Sequence, residues 1–174
     1  MPFDLKATIE ILRQTPATLK SMLSGLSDSW LLANRGEPSW SPHDIVAHLI
    51  HGEHEDWIAR TKIILEHGEE TPFTPFDPSQ FAKGTEGKTT VQLLDIFAEL
   101  RIRNLATLEG LNLQPDQFAL SGTHPAFGRV TLGQLLSTWA VHDINHIAQI
   151  SRTLAHQYDS EVGPWKAYLS VLTR

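Results

Sequence analysis

Two histidines, His142 and His146, are the residues whose type and spacing most clearly suggest chemistry. They lie four residues apart in the stretch 131–157, TLGQLLSTWAVHDINHIAQISRTLAHQ. Thr131 can cap a first helical turn, and Gln134 three residues later can complete a capping box, so one long helix is predicted here. Spacings of three and four place both histidines on one stripe of that helix with Leu132, Leu135 and Trp139. Two imidazoles on an inward-facing stripe suggest a metal site.

A third histidine, His48, occupies a core-facing position of another predicted helix. That helix begins after Ser41-Pro42, with Ser41 as the cap and Asp44 as its acidic partner, and is expected to run to about His67. Three imidazoles suit zinc or nickel, and three protein ligands leave a coordination position open for water, as in catalytic sites. The alternative is three separate histidines with ordinary hydrogen bonds, because a spacing of four residues recurs by chance in a chain with nine histidines.

The remaining polar candidates are predicted to lie outside the ligand set. We expect His51 and His54 at the surface or at the mouth of the site, His43 exposed, and His124 either in a turn or lining the pocket. His67 and His156 are near predicted helix ends. Asp143 and Asn145 flank the histidine pair as outer partners or surface groups. Glu53 is a possible base, but it lies well off the stripe of His48.

Composition excludes several classes of function. Cysteine is absent, which rules out disulfides, metal sites with cysteine ligands and catalysis by a cysteine of the chain. The net charge is −6, and the densest basic pair, Arg101 and Arg103, is interpreted as a solvated helix face, so nucleic-acid binding is not expected. There is no apolar run of the roughly 20 residues that cross a membrane and no signal peptide, so we expect a cytoplasmic protein. Nucleophile-elbow, phosphate-loop and HEXXH patterns are missing as well.

The predicted elements add up to an all-α, four-helix bundle in a single domain, residues 1–174. The first helix, capped by Asp4, is expected to break or kink at Thr15-Pro16. The third starts at Thr89 and ends at Gly110, residues 111–129 are expected to be mostly loop, and a short helix is predicted over 165–172. The segment 69–88, with Phe73, Phe76 and Phe81, is either a lid or a connection that buries its phenylalanines.

The chain resembles the DinB-like superfamily. The resemblance is carried, in order along the chain, by Thr15-Pro16, Trp40-Ser41-Pro42, Ala47-His48-Leu49, His124-Pro125-Ala126-Phe127-Gly128, and Trp139 with His142-Asp143-Ile144-Asn145-His146 and Gln149. It implies an up-down-down-up four-helix bundle that holds a divalent metal, nickel or zinc, on His48, His142 and His146. It also implies a homodimer, and several relatives are transferases that use low-molecular-weight thiols such as bacillithiol or mycothiol.

The expected function is that of a metal-dependent enzyme acting on a small molecule. The ion would activate either water, as in a hydrolase, or a low-molecular-weight thiol, as in an S-transferase. The competing hypothesis is a non-catalytic bundle, in which the metal serves stability, ligand sensing or a stress response. Fold resemblance alone does not decide between them.

Overall fold

A computed structural model describes residues 2–75 and 84–173. Four long helical segments make the bundle, and shorter elements connect them. The helices are α1 Leu5–Leu23, α2 Asp28–Leu31, α3 Pro42–Glu55, α4 Trp57–His67, α5 Thr90–Gly110, α6 Leu132–His156 and α7 Ser170–Thr173. Strands β1 Ser121–His124 and β2 Gly128–Thr131 form an antiparallel hairpin, and 3-10 helices span Pro115–Ala119 and Gly163–Tyr168.

Cross-helix contacts fix the directions of the helices in the bundle. Ion pairs of Arg13 with Glu109 and of Lys20 with Asp95 make α1 and α5 antiparallel, because early residues of one meet late residues of the other. Helix α3 runs parallel to α5, since their first turns meet where His43 bonds Thr90.

Helix α6 completes the arrangement. It is antiparallel to α3, because His48 lies against His142 while the later Glu53 lies against the earlier Trp139. It is parallel to α1, since the first half of each contributes to one apolar cluster and the second half of each to another. The bundle is therefore up-down-down-up, as the resemblance implied.

The capping predictions are confirmed at three helix starts. Ser41, Thr89 and Thr131 each accept a hydrogen bond from the backbone three residues later, and the side chain at that position returns a bond to the cap. Each capping box satisfies two N–H groups that the helix itself leaves without partners.

The first helix was expected to break or kink at Thr15-Pro16. The break is wrong, because α1 is helical through Pro16, whereas the kink stays a prediction. Proline has no N–H, so the carbonyl of Leu12, four residues earlier, loses its helical donor. That carbonyl instead accepts a hydrogen bond of 2.8 Å from Nη1 of Arg101 on α5. A contact from another helix thus replaces the bond that the proline removes.

The second predicted helix is the one that is interrupted. Asp56, with φ −101° and ψ −65°, separates α3 from α4, and its carboxylate binds Arg60 one turn later at 2.6 Å. The interruption sets Trp57 against Trp139, with parallel rings 5.6 Å apart. Gly68 ends α4 as predicted, with a positive φ of 59°.

The hairpin corrects the expectation that residues 111–129 are mostly loop. Its four-residue strands are too short to show a clear alternation of apolar and polar residues in the sequence. The turn depends on Gly128, whose φ is 70°. Backbone N–H of Phe73 donates to Thr123, which brings the Phe73 ring into the core at 2% exposure. Phe73 therefore follows the interpretation that this segment is a connection that buries its phenylalanines, whereas Phe76 and Phe81 lie outside the described residues.

The short helix predicted over residues 165–172 is divided between the last 3-10 helix, Gly163–Tyr168, and α7, Ser170–Thr173.

Substituting Gly122→Ala should destabilise the protein by about 1–3 kcal/mol. A Cβ at this position in β1 would lie 2.8 Å from Cε1 of Phe73 and 2.9 Å from Cγ1 of Ile64. Urea unfolding measures the change. Gly110→Ala is the matched control, since nothing lies within 4 Å of its Cβ and the helix propensity of alanine is higher. Equal stability of the two variants would contradict the prediction.

Candidate metal centre

Three imidazoles converge between α3 and α6. Nε2 of His142 lies 3.0 Å from Nε2 of His48 and 3.0 Å from Nε2 of His146. One ring nitrogen from each histidine falls within 4.8 Å of the others. The capping boxes fix where α3 and α6 begin, and the antiparallel packing of the two helices brings the rings together. The predicted histidines are thus adjacent in the structure.

The spacing of the nitrogens fits a shared cation. Two nitrogens bound to one ion at about 2.0–2.1 Å lie about 3 Å apart at a right angle and about 3.4 Å apart at the tetrahedral angle. The ring nitrogen of His142 carries either one hydrogen or one lone pair, so it can form a hydrogen bond with only one of its two neighbours. A cation that accepts all three lone pairs satisfies both close contacts at once.

The site favours neutral imidazoles, which are the form that binds metals. Burial, followed by the neighbouring His146, lowers the pKa of His48 to about 3. Burial, followed by His146 and His48, likewise lowers the pKa of His142 to about 3. Burial also lowers the pKa of His146. All three rings are therefore available as ligands near neutral pH.

The lowered pKa values predict that the metal-free protein loses stability on acidification. In the unfolded chain these histidines bind protons near pH 6.5, whereas in the folded protein His48 and His142 do so only near pH 3. Between those values the unfolded state binds more protons, so the free energy of unfolding falls by up to about 1.4 kcal/mol per pH unit for each histidine. Urea unfolding of chelator-treated protein from pH 7 to pH 4 measures the slope. A slope unchanged in His142→Gln would contradict the assignment.

Aromatic rings and one amide surround the ligands. The Trp40 ring lies 4.9 Å from the His48 ring and 6.3 Å from the His146 ring, and Trp57 meets the edge of His142 at 5.1 Å. These tryptophan rings pack against the three imidazoles. Nδ1 of His146 bonds Oε1 of Gln149 at 2.8 Å.

A buried ionic layer lies next to the histidines, and it corrects the interpretation of Arg101 as a solvated residue. Arg101 is 1% exposed, and its five N–H groups meet the carboxylates of Glu53 and Asp143 and the carbonyl of Leu12. Burial alone would lower the pKa of Arg101, but the carboxylates of Asp143 and Glu53 raise it.

Glu53 is a structural partner in this layer. Its carboxylate oxygens accept hydrogen bonds from Arg101, from Nε1 of Trp139 and from the amide of Asn104. Burial raises its pKa, whereas Arg101 and Asn104 oppose the rise. All of these partners are donors, so they stabilise the ionised carboxylate, which accepts every one of these hydrogen bonds.

The sequence contains a signal for this buried ionic layer, in a helical stripe of α6 that differs from the predicted one. On α6 the deepest positions are Leu132, Leu136, Trp139, Asp143, His146, Ile150 and Thr153, all buried. This stripe passes through Asp143, which is fully buried, while His142 lies at its edge and is half-exposed. On α5, Arg101 stands at helical spacing between Phe97 and Leu105. A charged residue within each apolar stripe was the available signal.

None of the other described histidines is among the three converging rings. His54, His67 and His156 are exposed. His43, expected to be exposed, is half-buried and bonds Thr90. His51 is half-buried one turn after His48. His124 takes the turn role, since its Nδ1 accepts backbone N–H groups of the hairpin and its ring stacks on the exposed Phe127.

The chain is similar in sequence and fold to a known bacterial protein. YfiT of Bacillus subtilis (strain 168) is 31% identical over 147 residues, which are 82% of this chain and 80% of YfiT. Its solved structure superposes with a TM-score of 0.74 at 27% identity, covering 88% of this chain and 86% of that one. YfiT is described as a probable metal-dependent hydrolase with an unusual four-helix bundle topology.

A family match covers most of the chain. The DinB superfamily profile matches residues 11–150, a span that includes all three histidines and the ionic layer. Within the described part of the chain, none of the helices is long and apolar enough to cross a membrane. The family match and the four-helix topology shared with YfiT lead to one conclusion: this chain belongs to the DinB superfamily.

Proposed function

We propose that the protein is a metal-dependent hydrolase that holds one divalent ion, nickel or zinc, on His48, His142 and His146. The observation that carries the proposal is the convergence of three imidazoles, with Nε2 of His142 3.0 Å from Nε2 of both His48 and His146, in a site that keeps imidazole neutral. The similarity to YfiT, described as a probable metal-dependent hydrolase, supports the same chemistry. Imidazole nitrogen suits both zinc and nickel.

The arrangement suits a catalytic ion because the described residues gather three protein ligands, which is the number typical of catalytic zinc sites. A divalent ion in such a site polarises a carbonyl or phosphoryl oxygen and supplies hydroxide near neutral pH. His48 holds one side of the site from α3, and His142 and His146 hold the other from α6. Trp40 and Trp57 shield the rings, and the layer around Arg101 fixes α6 against α3.

A group of polar side chains beside the ligands is available for substrate contacts. His51 lies one turn from His48, and Asp56 and Arg60 form an ion pair where α4 begins. His124 reaches the same region from the hairpin, since it and Arg60 both contact the ring of Phe73. These groups and the metal would together orient a small polar substrate.

Metal analysis and hydrolysis assays on untagged protein test the proposal. We expect about one nickel or zinc ion per chain, and hydrolysis of some members of a panel of small esters, amides and phosphoesters. Activity should vanish with a chelator and return with metal. Absence of stoichiometric metal would overturn the proposal. Metal-dependent transfer of a thiol to an electrophile, without hydrolysis, would favour the S-transferase, and an inert metal that only raises the melting temperature would favour a structural role.

The homodimer and the cytoplasmic location remain predictions. Among the exposed apolar side chains, Trp165 and Tyr168 lie near the carboxyl end, at 70% and 85% exposure. Light scattering coupled to size-exclusion chromatography measures the mass in solution. A mass near 39 kDa, about twice the 19.5 kDa of the chain, is expected for a dimer.

A further inference from the structure

Gln149 makes the hydrogen bond that holds one of the three ligand rings. It lies three residues after His146 on α6, and its Oε1 is 2.8 Å from Nδ1 of His146. We propose that Gln149 is a positioning residue that fixes the tautomer of His146, and through it the affinity of the site for its ion. This inference rests on the proposed function only where it concerns the metal.

The tautomer follows from the chemistry of the two atoms. An amide oxygen can only accept, so Nδ1 of His146 must carry the hydrogen. The neutral ring then has its lone pair on Nε2, the atom that faces His142 at 3.0 Å. Without Gln149, the hydrogen is free to occupy Nε2, where it would have to be removed before an ion could bind.

The support is unequal among the ligands, which makes Gln149 more important. Nδ1 of His142 is buried and has no hydrogen-bond partner among the residues that the structure describes. Outer partners of ligating histidines orient the ring and raise its basicity. Of the two ligands on α6, His146 is therefore the pre-organised one.

Because Gln149 carries a neutral amide, it adds no negative charge beside the metal ligands. A glutamine orients the imidazole without adding a negative charge, whereas a carboxylate in the same place would both accept the hydrogen bond and attract the ion. Gln149→Leu removes the acceptor at similar size, and Gln149→Glu keeps the acceptor and adds a charge. These two variants separate orientation from charge.

Nitrogen-15 NMR of the metal-free protein tests the tautomer directly. In the wild type and in Gln149→Glu, we expect His146 to carry its hydrogen on Nδ1, with the resonance assigned by its loss in His146→Asn. In Gln149→Leu, the Nε2–H form should become populated. A Leu variant that retains the wild-type tautomer would overturn the proposal, and a merely structural role for Gln149 would not alter this signal.

Chelator competition with zinc or nickel tests the consequence for binding. Gln149→Leu should lose about 10- to 100-fold in affinity, and Gln149→Glu should bind at least as tightly as the wild type. Asn145→Leu is the matched control, because Asn145 is an exposed neighbour on α6 and should leave the affinity unchanged.

The two measurements distinguish the failure of this inference from that of the proposed function. Equal affinity of the wild type and Gln149→Leu would contradict the role of Gln149 while leaving the metal site intact. A wild type that binds no metal would contradict the proposed function and the affinity effect together. The NMR result would still decide whether Gln149 sets the tautomer.

Discussion

Arg101→Met should destabilise the protein by about 3–5 kcal/mol, the cost of leaving buried charges without their partner. Arg101 compensates two buried carboxylates, and its shortest contacts are 2.7 Å to Glu53 and 2.6 Å to Asp143. Methionine fills much of the volume, but it donates nothing to these oxygens or to the carbonyl of Leu12. The free energy of unfolding in urea at pH 7 measures the loss.

Arg103→Met is the matched control for this prediction. Arg103 lies two residues away on the same helix, and its side chain is 73% exposed, with a long 3.4 Å contact to Glu99. Its substitution should change stability by no more than about 0.5 kcal/mol. Adding Glu53→Gln to Arg101→Met should recover part of the loss, because one unpaired buried charge is removed. Equal stability of the two methionine variants would show that the buried layer carries no net energy.

His48→Ala should abolish stoichiometric metal binding, with a loss of affinity of at least about 100-fold, larger than the effect typical of outer partners. His48 is the ligand that crosses from α3, so its removal leaves only the pair on α6. The alanine variant should also lose the stabilisation by added metal, which for a bound wild type is about 2.7 kcal/mol at a metal concentration of 100 Kd. Elemental analysis and melting curves with and without metal measure both effects.

His54→Ala is the control for the ligand substitution. His54 is exposed on the same helix and is not one of the three converging rings. It should keep the wild-type metal content and the metal-dependent rise in melting temperature. If His48→Ala binds metal as tightly as His54→Ala, the triad is not the metal centre.

The local starts of the helices were accessible from the sequence because capping is a short-range interaction. Ser41, Thr89 and Thr131 act within three residues of themselves, so their boxes are visible in the order of the residues. The inward-facing positions of His48, His142 and His146 were predicted from the helical spacing of three and four residues. Their convergence needed the additional fact that α3 and α6 pack antiparallel at matching height.

Breaks in helices were less accessible, because their outcome depends on partners far along the chain. Pro16 was expected to interrupt α1, yet Arg101 supplies a donor to the freed carbonyl of Leu12, 89 residues away. The interruption occurs instead at Asp56, where the chain places Trp57 on Trp139. Aspartate is a common residue at a helix start, but the side chain of Asp56 makes no capping hydrogen bond here, so the local sequence did not distinguish this boundary from a continuous helix.

The stretch around His142 and His146 shows which features follow from the local sequence and which depend on the packing of the helices. The sequence alone determined a capped helix of more than twenty residues that carries two imidazoles one turn apart, because these features depend on neighbours along the chain. The packing of the folded chain was needed to show that Asp143, rather than His142, points to the centre of the bundle, since burial depends on which helices pack against α6. Packing also sets the charge at this point of the bundle, because Arg101 of α5 pairs with both Asp143 of α6 and Glu53 of α3.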